Sequence, residues 1–161
     1  MGEARQRFEQ MLAKDPNNEQ LLLALADFTA MTRDKPEEAK ALIEKAIEQC
    51  ERREERWSIP ELIRIKGQLL LLDNAASVAG TAQDQFQHAI DWARRQGALS
   101  WELRGATSLA RLWCNQGRSE AAYKLLAPVY DQFTEGVETA DLKAARALID
   151  DLRASKPRQV S

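Results

Sequence analysis

Phe8–Phe28, FEQMLAKDPNNEQLLLALADF, decides the fold. Phe8, Met11 and Leu12 recur at the three- and four-residue spacing of a helix that is apolar on one side. Asp15-Pro16-Asn17-Asn18 then breaks that helix, because proline lacks the amide a helix interior needs, and asparagine caps a new one. The second run carries Leu22, Leu25, Ala26 and Thr29 on one stripe. The segment reads as two antiparallel helices joined by a tight turn.

The same punctuation continues along the chain, and eight helices are expected. The first two span about 3–14 and 19–33. Asp34 and Pro36 start a third, about 36–53, with Ala39, Leu42, Ile43, Ala46 and Ile47 facing a core. Ser58 is expected to cap a fourth, running to about Leu72, and Asp73–Gly80 reads as loose chain. A fifth covers about 81–96 and stops at Gly97. Ser100 should cap a sixth, to about Gln116, and Ser119 should open a seventh, to about Thr134, with a kink or break near Ala127 imposed by Pro128. Thr139 should cap an eighth, about Ala140 to Ala154, leaving 155–161 as a frayed tail.

These helices repeat in pairs. Phe8/Met11, Ile43/Ala46, Phe86/Ala89 and Leu126/Val129 mark one helix of each pair, at successive intervals of 35, 43 and 40 residues. Ala39, Ala82 and Ala122 each precede the large residue by four, and Ala26, Gly67 and Ala110 take the close-packed place on the other helix. Gly67 is expected where two backbones approach, since a helix-interior glycine costs about 1 kcal/mol relative to alanine. Helix pairs of this length resemble tetratricopeptide repeats, whose period is about 34 residues. The resemblance implies an all-α, right-handed α-solenoid, here of about eight antiparallel helices beginning and ending in half-repeats. The expected domain is 1–154, with a standard-period segment at 3–53 and a longer-period segment at 54–154.

ERWSIPELIRIKGQLLL and the stretch from QFQHAIDW to ARALIDDL also resemble the carboxy-terminal repeats of bacterial regulators that join a cyclase or transcription-factor domain to a predicted ATPase. That resemblance implies a docking or sensing tail for a signalling protein. No cyclase or ATPase segment is present to carry nucleotide chemistry over. Gly105 departs from the pattern, which has alanine there, and Cys114 stands where a polar residue is usual. The alternative is a recombined or designed chimera, with residues 3–50 of one repeat type and the remainder of another.

Composition supports binding over chemistry. The 161 residues are 44% hydrophobic and 30% charged, and 23 lysines and arginines nearly balance 25 aspartates and glutamates. No strong field favours nucleic acid or an anionic membrane. No apolar run approaches a membrane span, Met1–Arg5 lacks an apolar signal core, and Cys50 and Cys114 read as free thiols, so the expected compartment is the cytoplasm. His88 is the sole histidine, without ligands at metal spacing, and reads as a solvated surface residue. Neither a phosphate-binding glycine loop nor a positioned catalytic base occurs, so no enzyme activity, metal or cofactor is expected. Glu37/Glu38 and Glu54/Glu55 read as solvated, and Glu48/Arg52 as a surface ion pair. Trp57, Trp92, Trp101 and Trp113 read as core packing.

What remains is a scaffold for a protein or peptide. The repeat pattern places Arg64 and Gln68 on the fourth helix, and Arg104, Thr107, Arg111 and Asn115 on the sixth, in a groove. Arginine forks suit carboxylates, so an acidic segment is the expected ligand, unless these arginines are taken by neighbouring carboxylates. The end helices, with Phe8, Met11 and Leu12 at one end and Leu142, Leu148 and Ile149 at the other, are expected to leave apolar surface for self-association.

Overall fold

The computed structural model describes residues 2–15, 18–32, 36–54, 56–72, 77–136 and 138–155. Among them are eight helices and no strand: α1 (Gly2–Lys14), α2 (Glu19–Thr32), α3 (Pro36–Arg53), α4 (Ile59–Leu71), α5 (Val78–Gln96), α6 (Leu99–Asn115), α7 (Ser119–Tyr130) and α8 (Ala140–Ala154). The fold class is the expected all-α repeat of paired helices. The chain forms two compact units, 1–85 and 86–161, with the division inside α5.

In the first unit α2 packs on α1, α3 and α4, and α3 packs on α4. The core is the face that the 3.6-residue period selects: Leu25, Ala39, Ile43, Ala46, Cys50, Leu62, Ile65 and Leu69 are buried. Each fully buried aliphatic side chain of this size contributes about 1.5–3 kcal/mol. Of the α2 stripe, Leu25 is buried, while the side chains of Leu22, Ala26 and Thr29 lie outside the described residues. Asn18 caps α2 as expected, its Oδ1 accepting from the Leu21 amide at 3.1 Å. The expected stop at Pro16-Asn17 and start at Asp34 lie outside the described residues. Ser58 precedes α4 but makes no capping bond; its buried hydroxyl lies 3.6 Å from Cys50 Sγ.

In the second unit α6 packs on both α7 and α8, and α7 packs on α8. Phe86, Ala89, Ile90, Leu103, Leu109, Leu126, Val129, Leu142, Ile149 and Leu152 form its core. Two helix starts differ from expectation. α5 begins at Val78, so the loose stretch does not extend to Gly80, which sits in the first helical turn with open space around it. α6 begins at Leu99, with Ala98 as its cap and Ser100 already helical. The cause is Gly97: at φ +66° it reverses the chain, and the Ala98 amide bonds back to Ala93 O at 2.9 Å, leaving no residue to spare before α6. Gly117 does the same before α7, which opens at Ser119 as expected, with Arg118 at the cap position.

α7 continues through Pro128 and ends at Tyr130, four residues before Thr134. Asp131 N still bonds Ala127 O at 2.9 Å, and tighter turns follow from Gln132 to Val129 and from Phe133 to Tyr130. The break therefore falls after the proline rather than at Ala127. Thr139 caps α8 as expected, accepting from the Leu142 amide at 3.4 Å.

Candidate functional site

Arg64 and Gln68 belong to the first unit and the four residues of α6 to the second, so each set is described within its own unit. On α4, Arg64 is buried and its fork is engaged: Nε donates to Glu61 Oε2 at 2.7 Å and Nη2 to Glu61 Oε1 at 2.6 Å. Both groups are almost fully removed from water, and one turn of helix sets the spacing. Gln68, one turn on, is half-buried.

Arg104, Thr107, Arg111 and Asn115 follow one stripe of α6, at three- and four-residue steps. Arg104 lies against the ring of Trp101, 5.6 Å from its centre, with Nε 3.5 Å from Asp141 Oδ1 of α8. Thr107 is buried and donates to the Leu103 carbonyl at 2.8 Å, which satisfies its hydroxyl inside the helix. Arg111 and Asn115 are exposed. Arg111 has no ionic partner among the described residues. The stripe thus presents Arg104 beside Asp141 and an exposed Arg111.

A concave surface lies in the first unit, and the sequence reading missed it. Arg5, Glu9 and Leu12 of α1, Leu25 of α2, and Glu38, Ala41, Leu42 and Lys45 of α3 line a cleft of about 410 Å³. Arg5 is buried, donating from Nε to Glu9 Oε1 at 2.8 Å and from Nη2 to Glu38 Oε2. Both carboxylates stay half-exposed. The Arg5/Glu9 pair has a legible four-residue spacing, but Glu38 meets them only because α2 carries α1 and α3 side by side.

The tryptophans are not core residues. Trp57 is 47% exposed, and Trp92, Trp101 and Trp113 are partly exposed. In the second unit each carries an arginine over its ring, with Arg95 on Trp92 at 4.7 Å and Arg118 on Trp113 at 4.5 Å. Long arginine stems cover aromatic surface while their charge stays in water, which lets these rings remain at the surface. Tyr123 is covered likewise by Arg153, whose guanidinium is held above its ordinary pKa chiefly by its hydrogen bond to the Tyr123 hydroxyl. His88 is exposed, and its Nε2 accepts from Trp92 Nε1 at 3.0 Å. Both cysteines are free thiols.

Residues 1–57 match the family model described as Tetratricopeptide repeat. No curated protein and no solved structure matches the chain. No helix among the described residues is long and apolar enough to cross a membrane.

Proposed function

We propose that this chain is a protein-interaction scaffold without chemistry of its own, which holds an acidic peptide segment against α6. The repeat match over residues 1–57 supports the scaffold reading. The observation that carries the ligand reading is Arg111, exposed and without an ionic partner among the described residues, on the same stripe as Arg104. Arg104, beside the half-exposed Asp141 at 3.5 Å, shares that stripe, and its planar fork suits a carboxylate. Asn115 adds an amide at the end of the stripe, and Trp101 holds Arg104 from one face. Arg64 of the first unit keeps its fork on Glu61 and serves structure. The likeness of residues 56–153 to regulator tails makes another domain of a cytoplasmic signalling protein the natural source of such a segment.

The test is titration of the whole chain with a labelled acidic peptide at low and moderate salt, for the wild type and for Arg104→Glu with Arg111→Glu. Binding should weaken with salt and fall at least tenfold on reversal, which corresponds to about 1.4 kcal/mol. Equal binding by both proteins, or none by the wild type, overturns the acidic-ligand reading.

A further inference from the structure

We infer that the outward face of α8 binds the same face of a second copy of this chain, the two helices lying antiparallel about Ala147 with Lys143 of each copy against Asp150 of the other. The inward face is settled: Leu142, Ala145, Ile149 and Leu152 are buried where α8 packs on α6 and α7. Leu142 and Ile149 therefore leave none of the apolar end surface expected of them, and Leu148 is half-buried. The opposite side, at the 3.6-residue period, carries Ala140, Lys143, Ala147, Asp150 and Ala154, all exposed. Three alanines seven apart hold the middle of that face, and side chains this short let a second helix approach to about 8 Å between axes.

The charges on this face specify a second copy as the occupant. Lys143 bonds Glu138 at 2.9 Å, yet its side chain is 60% exposed, and an ammonium with three donors can hold a second carboxylate as well. Arg146, at the edge of the face, has no ionic partner among the described residues. Asp150 feels Arg153, but that guanidinium lies over the Tyr123 ring and bonds its hydroxyl. Asp151 has no ionic partner among the described residues. The first half of the face is thus basic even beside Glu138, and the second half acidic even beside Arg153. Lys143 precedes Ala147 by four residues and Asp150 follows it by three. A two-fold axis through Ala147 reverses the partner helix but keeps each flank of the face on its own side. Lys143 of one copy then stands level with Asp150 of the other to within about 1.5 Å along the axis, and this happens twice per pair. Asp151 falls beside Ala144 of the other copy, where no like charge opposes it. A parallel pair would instead bring like charges level and align the helix dipoles unfavourably. An unrelated partner has no reason to repeat this spacing, whereas a second copy does so by symmetry.

A contact of one helix from each copy falls below the roughly 1,200 Å² of stable interfaces, so a weak dimer is expected, with a dissociation constant of about 0.1–1 mM. Sedimentation equilibrium of the full chain measures it, at low salt where exposed charges are least screened. Lys143→Glu and Asp150→Lys should each weaken the dimer at least tenfold, because each sets like charges together twice per pair. Mixed in equal amounts, the two variants should associate at least as well as the wild type, since each supplies the sign the other lacks. A structural fault in either variant would not be cured by adding the other. Ala147→Gln keeps every charge in place and should also weaken the dimer, by blocking the close approach of the helices. All three positions are exposed, so unchanged helical circular dichroism is expected. A strict monomer at about 1 mM, a dimer indifferent to the charge reversals, or variants that stay apart on mixing would each overturn the inference. The acidic ligand proposed for α6 takes no part in this test, so the two readings stand or fall separately.

Discussion

The backbone of Gly105 on α6 passes Ile90 on α5 so closely that a Cβ at Gly105 would stand 2.9 Å from Ile90 Cγ1. Ile90 is fully buried, so its side chain has no open space into which to retreat. This contact gives position 105 a steric reason to carry no side chain. Gly105→Ala gains about 1 kcal/mol of helix propensity and loses about 1–3 kcal/mol to overpacking, so a net loss of about 1 kcal/mol is expected in urea unfolding. Gly80→Ala, with nothing within 4 Å, should instead stabilise by up to about 1 kcal/mol.

Breaking the buried Glu61–Arg64 pair leaves a charge without its counterpart. Glu61→Ala should cost about 3–5 kcal/mol, whereas replacing both residues with apolar ones of similar volume should recover most of that loss. The exposed Arg52–Glu48 pair, at 2.5 Å, is the control: Glu48→Ala should change stability by less than about 0.5 kcal/mol. Chemical denaturation of the variants distinguishes the two cases.

The helix starts offer a paired comparison. Thr139 accepts from the Leu142 amide, so Thr139→Ala should destabilise by about 1 kcal/mol. Ser100 lies inside α6 and caps nothing, so Ser100→Ala should be neutral or slightly stabilising. Equal losses at both sites in thermal unfolding would contradict the observed start of α6.

The thiols should separate by reactivity. Cys50 is fully buried and Cys114 partly exposed. A thiol reagent should therefore label one cysteine per chain rapidly in the native protein, identified as Cys114 by peptide mapping. Labelling of Cys50 should follow only on addition of denaturant.

Period and punctuation determined the all-α class, the eight helices and most of the core. Ala39, Ile43 and Ala46 on α3, and Phe86 and Ala89 on α5, are buried as their spacing requires, because a helix can hide only the stripe that recurs every 3.6 residues. Gly97 and Gly117 were legible as stops because the left-handed turn suits glycine, while Glu54 ends α3 at φ +59° with no such signal. Gly67 is buried inside α4, and a close approach is found at Gly105, where Ile90 of α5 supplies the neighbouring side chain, a matter of packing rather than of local preference. The candidate sites divide in the same way. The sequence placed Arg104 and Arg111 on one stripe of α6, because that stripe follows from helical geometry alone. Tertiary structure decided that Glu61 takes the Arg64 fork, that Asp141 reaches Arg104, and that Arg5 meets Glu38 from 33 residues away. Helical periodicity fixes a residue's face; its ionic partner depends on which helix packs against that face and at what offset.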